Sequence, residues 1–273
     1  MVSRRSFILS LISSIALSLI LGPLLVLRAY LKPGGDLVDV NYRVVNGRLE
    51  LPLPKLDGVM SVERALANRR SIREYTRDPL TLEELSQILW ASYGVSEVTY
   101  GFKTTPSAGA TYPLNIYVVA YPEGVLMPNG SYLEPGSYRY YPDAHAIELV
   151  RKGDLSYELY KASLEQEWVL KAKACIVITA TYERTTRRYG ERGVRYVLIE
   201  VGHAGQNIYL QATALGLATV AIGAFYDERV REIIGAPHNE HVLYIMPLAK
   251  PAKPYNLKLE DLARYIGLAR SRG

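Results

Sequence analysis

A single cysteine among 273 residues excludes an internal disulfide. Cys175 lies within the apolar run Ala174-Cys175-Ile176-Val177-Ile178, where it reads as a small buried hydrophobe. Histidine is also scarce, with four in the chain. The one close pair, His238-x-x-His241, sits beside Pro237 and Asn239 and reads as a loop feature, so no metal site is expected. Three phenylalanines stand against 22 tyrosines, which supply packing area with hydroxyls that seek partners but point to no function. No G-x-G-x-x-G follows a strand, and no Walker loop, H-E-x-x-H, C-x-x-C or G-x-S-x-G elbow occurs. Rossmann dehydrogenases, P-loop enzymes, zinc peptidases and serine hydrolases therefore lose support. The net charge of +5 is carried by scattered Lys and Arg with no basic run and no stacking motif, so no nucleic-acid partner is expected. No internal repeat or low-complexity tract appears.

The chain does contain one long apolar run. Ser6 to Leu27 carries no charge and is apolar on every face, long enough for one bilayer crossing. It follows Ser3-Arg4-Arg5-Ser6-Phe7, which has the form of a twin-arginine export motif. No small-x-small cleavage site follows, so residues 1–32 are expected to remain as a signal anchor or twin-arginine-like segment that holds the protein at a membrane. Arg28 and Lys32 nearly balance Arg4 and Arg5 across it. The preferred side for the catalytic domain is extracytoplasmic, with the cytoplasmic face as the alternative; Asn129-Gly130-Ser131, an N-glycosylation triplet or a plain turn, agrees with the former.

Residues 33–58 read as a linker with a short β excursion near Tyr42 to Leu51, and residues 59–273 as one catalytic domain. Ser61 can cap a first helix that runs out near Arg69. Thr81-x-x-Glu84 is a capping box for a second, with Leu82, Leu85, Ile88 and Leu89 as its apolar stripe and Gly94 at its end. Strands are expected at 115–120, 137–141, 146–150, 175–181, 218–222 and 241–246, with a helical stretch up to Lys171, a long helix over 195–215 and a short one over 228–234. Strands and helices mix without strict alternation, which argues for an α+β layer structure around one sheet.

Three segments could carry chemistry. Arg69-Arg70-Ser71-Ile72-Arg73 gathers three guanidinium groups and a hydroxyl, suited either to a phosphate or to a solvated helix end. Pro106-Ser107-Ala108-Gly109-Ala110 is a small-residue loop that a flat ligand could approach closely. Ile222-Gly223-Ala224-Phe225 exposes backbone N–H groups between a strand and a helix.

In this order and spacing, with Gly202-His203-Ala204-Gly205-Gln206-Asn207, Gln166-Glu167-Trp168 and Pro247-Leu248-x-x-Pro251, these segments resemble the nitroreductase superfamily and its SagB/ThcOx-type, azoline-oxidase-like branch, over roughly residues 60–251. The resemblance implies a mixed, mainly antiparallel sheet flanked by helices, in a homodimer holding FMN in two interface clefts. It implies that Arg69, Arg70, Ser71 and Arg73 bind the FMN phosphate and ribityl hydroxyls, with Lys250 a weaker contributor. Pro106, Ser107 and Ala108 line the isoalloxazine from the partner subunit, and Gly223 and Ala224 offer N–H groups near flavin N5. A Lys-Tyr pair serves proton removal in azoline oxidases; here Arg188-Tyr189 falls near it, leaving Tyr189 as the catalytic candidate and a guanidinium that makes a poor base. The implied activity is an FMN-dependent oxidoreductase passing hydride or electron pairs between a small organic substrate and a nicotinamide, quinone or other acceptor, with NAD(P)H a possible donor. The alternative is an inactive, flavin-binding or flavin-free scaffold in a membrane-associated complex.

Overall fold

The computed structural model describes residues 43–271. The apolar N-terminal segment, the twin-arginine motif and residues 33–42 of the expected linker lie outside the described residues. Among those described, no helix is long and apolar enough to cross a membrane.

The strands are β1 (Val44–Val45), β2 (Arg48–Glu50), β3 (Leu80–Thr81), β4 (Val95–Glu97), β5 (Phe102–Lys103), β6 (Leu114–Ala120), β7 (Val125–Leu126), β8 (Gly136–Tyr141), β9 (Ala146–Lys152), β10 (Ala174–Ala180) and β11 (His241–Leu248). The helices are α1 (Val62–Asn68), α2 (Leu82–Tyr93), α3 (Ser156–Ala162), α4 (Glu167–Leu170), α5 (Glu183–Tyr189), α6 (Arg192–Ala214), α7 (Asp227–Ile234) and α8 (Leu259–Arg270). Seven strands form one sheet in the order β1-β2-β9-β8-β6-β10-β11, and every neighbouring pair is antiparallel.

Both faces of this sheet are covered, which explains why β6 and β10 are apolar except at Asn115 and Thr179 and are buried at every residue. Leu114, Ile116 and Val118 of β6, with Ile176 and Ile178 of β10, pack on the α2 and α6 side, beneath Leu85, Ile88 and Leu89 of the one helix and Val197, Ala204 and Ile208 of the other. Tyr117 and Val119, with Cys175 and Val177, face the other way onto Leu159 of α3 and Val230 and Ile234 of α7. Period-2 side-chain alternation thus serves two hydrophobic layers. Each fully buried Leu or Ile contributes about 1.5–3 kcal/mol. Gly205 lets α6 lie close on the sheet: a Cβ there would sit 3.1–3.2 Å from the Tyr244 ring.

The local signals act as their chemistry requires. Ser61 Oγ accepts from Arg64 N–H at the start of α1, and Thr81 and Glu84 close the capping box of α2. Gly94 N–H ends α2 on the Trp90 carbonyl. Three expectations shift. The hairpin β1–β2 falls in the expected linker, yet β2 pairs with β9 at the sheet edge, so residues 44–50 belong to the folded unit. The helical stretch before Lys171 is two short helices, because Leu164 and Glu165 both take φ of 55°. The expected strand over 218–222 makes only isolated bridges, Ala218 to Ala249 and Ile222 to Ile245, and its other edge is left for the segment after α1.

Candidate active site

The segment after α1 is extended and threaded between two others. Ile72 N–H donates to the Thr219 carbonyl at 3.1 Å and Thr76 N–H to the Lys250 carbonyl at 2.9 Å, while Ala252 N–H returns to Glu74 at 2.9 Å. These bonds bring the arginine cluster, residues 219–223 and Lys250 together from three distant parts of the sequence. Tyr209 of α6 is their common support. Its hydroxyl accepts from Ala221 N–H at 2.7 Å and lies 2.8 Å from Ser71 Oγ, and the Arg69 guanidinium stands 5.1 Å over its ring.

Among the described residues, no carboxylate lies within 4.0 Å of Arg69, Arg70 or Arg73. The three differ in where their forks go. Arg70 turns back to the end of α1, donating to the Ala67 and Arg69 carbonyls, and stacks 3.9 Å over Tyr255. It completes the helix C-terminus, where a cation also meets the negative end of the helix dipole. Ser71 and Arg73 are exposed, with Arg73 5.0 Å over the Trp168 ring. Lys250 Nζ is 3.9 Å from Glu84, a loose pair at the margin of the cluster.

Gly223 and Ala224 are exposed, and among the described residues their N–H groups have no hydrogen-bond acceptor. The Ala224 carbonyl is fixed from behind by Gln166 Nε2 at 3.0 Å. On the same or adjoining segments, Tyr75 Oη, Trp168 Nε1 and Thr219 Oγ1 are buried without partners. Burial of Tyr75 pushes its phenol well up, so it stays protonated.

The small-residue loop lies elsewhere. Thr105 Oγ1 donates to the Ser92 carbonyl at 2.7 Å, Asn207 Nδ2 donates to the Thr104 carbonyl and Thr105 Oγ1, and Ser107 Oγ donates to Glu200 at 2.6 Å. Gly109 has φ of 60°, and a Cβ there would strike the Tyr189 hydroxyl and come within 3.0–3.1 Å of the Arg188 guanidinium. Arg188 Nη1 donates to the Gly109 carbonyl at 3.2 Å. Tyr189, at the end of α5, therefore stands against the loop. Its ring meets Tyr196 edge-on at 5.1 Å.

Within one chain the structure thus makes two clusters. The arginine cluster meets α6 at Tyr209; the entry to the loop meets it at Asn207, and Ser107 meets it at Glu200, nine residues from Tyr209, which is roughly 13.5 Å along the axis. The sequence reading missed Tyr209, Glu200 and Gln166 as contributors. Glu200 had a visible signal: a carboxylate on the α6 face that carries Val197, Ala204 and Ile208 into the core. Tyr209 had none, since a tyrosine at a helix flank is ordinary.

The described residues thus combine a two-sided antiparallel α+β fold with an arginine cluster that lacks carboxylate partners, free backbone N–H groups and a separate small-residue loop. The chain belongs to the nitroreductase family, whose model matches residues 66–250. It is 48% identical over 203 residues to a protein of Methanocaldococcus jannaschii that bears the name nitroreductase, covering 74% of this chain and 96% of that one. A solved nitroreductase-named structure from Ralstonia eutropha superposes with a TM-score of 0.65 at 27% identity, over 76% of this chain and 90% of that one. The NADPH:FMN oxidoreductase of Vibrio harveyi, solved with NAD+, shares the fold at a TM-score of 0.50 and 21% identity, over 72% and 71% of the two chains.

Proposed function

We propose that the protein is an FMN-dependent oxidoreductase that moves hydride or electron pairs between a small organic substrate and a nicotinamide, quinone or other acceptor. The observation that carries this reading is the set of unsatisfied donors on segments joined through Tyr209: Arg69 and Arg73 without a carboxylate, and the Gly223 and Ala224 N–H groups without an acceptor among the described residues. These groups fit a flavin phosphate and a flavin ring edge. The bound flavin would supply the redox chemistry; the chain supplies binding, orientation and electrostatics. Arg69, Arg73 and Ser71 would hold the phosphate and ribityl chain through charge-assisted bonds. Arg70 and Lys250 act at the margin, the first as a helix cap and the second through its backbone. A fixed N–H at Gly223 or Ala224 favours negative charge developing at the ring edge.

Separation of the two clusters along α6 supports a homodimer in which the Pro106-Ser107-Ala108 loop of one copy faces the arginine cluster of the other. The outward face of α6 favours such pairing: Val194, Leu198 and Ile199 are exposed at 42%, 50% and 46%. Tyr189, against the loop, would exchange a proton with a substrate on the flavin, and the Arg188 guanidinium beside it, a poor base, serves as an anchor of Gly109. The SagB/ThcOx-type motifs support membership of that branch, with a reaction other than azoline oxidation. The apolar run of residues 6–27 supports a membrane anchor, with the catalytic domain on the extracytoplasmic side, where a quinone or electron carrier serves better than soluble NAD(P)H.

The test is flavin analysis of the supernatant from heat-denatured full chain, purified in mild detergent and supplemented with FMN. One FMN per chain and reoxidation by a quinone or nitro acceptor supports the enzyme. No flavin at all leaves the membrane-associated scaffold as the better account.

A further inference from the structure

Glu200 is buried to 2% exposure in the middle of α6, and among the described residues no cation comes within 4.0 Å of it. A carboxylate in that position persists only if donors meet its lone pairs. Two hydroxyls do so, one on each oxygen: Tyr93 donates to Oε1 at 2.5 Å and Ser107 to Oε2 at 2.6 Å. Burial pushes the Glu200 carboxyl up, and the hydrogen bonds from Ser107 and Tyr93, with the charge of Lys103, oppose it.

The Ser107 bond has a consequence for the loop. With its hydrogen committed to Glu200, the Ser107 oxygen accepts from Tyr112 N–H at 2.9 Å, so one hydroxyl closes the turn over residues 107–112 from its inner side. That turn holds three unusual backbone conformations, Gly109, Ala110 and Tyr112 with φ of 60°, 52° and 46°. Such conformations persist only where surrounding bonds over-determine them. Tyr93, on the other oxygen, also ties α2 to the start of β6, accepting from Leu114 N–H at 3.3 Å.

We propose that Glu200 is a positioning residue for the cofactor, holding Pro106, Ser107 and Ala108 through the Ser107 hydroxyl in the one loop conformation that packs on the flavin ring. This rests on the FMN reading above. Glu200 never touches the ligand and acts only through Ser107. Replacing it by glutamine leaves its volume unchanged but offers an amide to one of two hydroxyls that need an acceptor.

The experiment is a double-mutant cycle on the full chain, stripped of flavin and titrated with FMN. Glu200→Gln and Ser107→Ala each weaken FMN binding by about tenfold, the effect of losing one charge-assisted bond, and the double variant is no weaker than the worse single. Tyr93→Phe, which frees the other oxygen, lowers the melting temperature but changes FMN affinity less than twofold. A ligand-free readout accompanies these: hydrogen exchange at the Tyr112 amide speeds up in Glu200→Gln and Ser107→Ala while exchange in β6 and β10 is unchanged. Additive losses in the cycle overturn the proposal, as does loss of FMN in proportion to lost stability across all three variants. If Glu200→Gln fails to fold, Ser107→Ala alone decides, and unaltered FMN affinity there overturns it. If the parent binds no FMN, the functional reading fails on its own. The exchange at Tyr112 then judges Glu200, with unchanged exchange sinking the loop-holding role and faster exchange confined to residues 107–112 sustaining it.

Discussion

The Tyr209 hydroxyl lies 2.8 Å from Ser71 Oγ while accepting the Ala221 N–H at 2.7 Å, so a single phenol on α6 joins the arginine segment to the backbone that leads into Gly223. Tyr209→Phe keeps the ring under Arg69 and removes this join. The half-buried N–H of Ala221 then loses its acceptor, a loss of about 1 kcal/mol. FMN affinity is expected to fall at least tenfold, with the melting temperature changed by only a few degrees, as read by fluorescence titration and thermal unfolding.

The arginines separate by role. Arg69→Ala with Arg73→Ala removes two unpaired forks and is expected to abolish FMN retention through gel filtration, since hydrogen bonds to charged groups contribute about 1.5–3 kcal/mol each. Arg70→Ala, which loses the cap on α1 and the stack on Tyr255, is expected to lower stability by about 1 kcal/mol and to leave most of the flavin bound. Equal loss in both variants would show that Arg70 reaches the ligand.

Gly109→Ala meets two obstacles, a φ of 60° and the Tyr189 hydroxyl. The left-handed backbone alone is worth about 1–2 kcal/mol, and the contact adds to it. Combining it with Tyr189→Phe recovers the steric part and leaves the backbone part. Chemical denaturation of the four-member set measures both, and a purely additive result would mean the hydroxyl simply turns away.

His145 gives a pH dependence with a definite sign. Its Nε2 faces the Pro52 carbonyl at 2.9 Å, so it carries the hydrogen, and Nδ1, 2.9 Å from Tyr140 Oη, accepts. Burial lowers its pKa below the usual 6.5, so the neutral ring is the folded form. The stability it contributes is present above pH 6.5 and is lost as pH falls from there through the folded pKa. Unfolding between pH 8 and 5 is expected to show a falling stability that flattens in His145→Asn, asparagine being chosen because residue 145 has φ of 44°.

Gln166 is the remaining handle. Its amide fixes both the Ala224 and Ser163 carbonyls. Gln166→Leu is expected to lower turnover of the flavin-loaded enzyme several-fold by loosening the Gly223–Ala224 peptide, while FMN content stays near one per chain. Stopped-flow reduction by NAD(P)H or a chemical donor, compared with the parent, measures it.

Much of this protein was written locally. Caps such as Ser61 and the Thr81–Glu84 box, the apolar runs of β6 and β10 and the 3.6-residue stripe of α6 are decided by residues near one another in the chain, and they declare the elements and the α+β class. The three segments proposed to face the ligand stand out for the same reason, because guanidinium density and small residues are properties of short windows. Tertiary structure decided what the windows could not. It placed residues 44–50 on the sheet edge through pairing with residues about 100 positions away, turned Arg70 back onto its own helix, and set the arginine cluster and the Ser107 end of the loop against different parts of α6. It also made Tyr209 and Glu200 supports of those clusters, since a hydroxyl or carboxylate becomes a determinant only when burial removes water and leaves a particular distant partner to replace it.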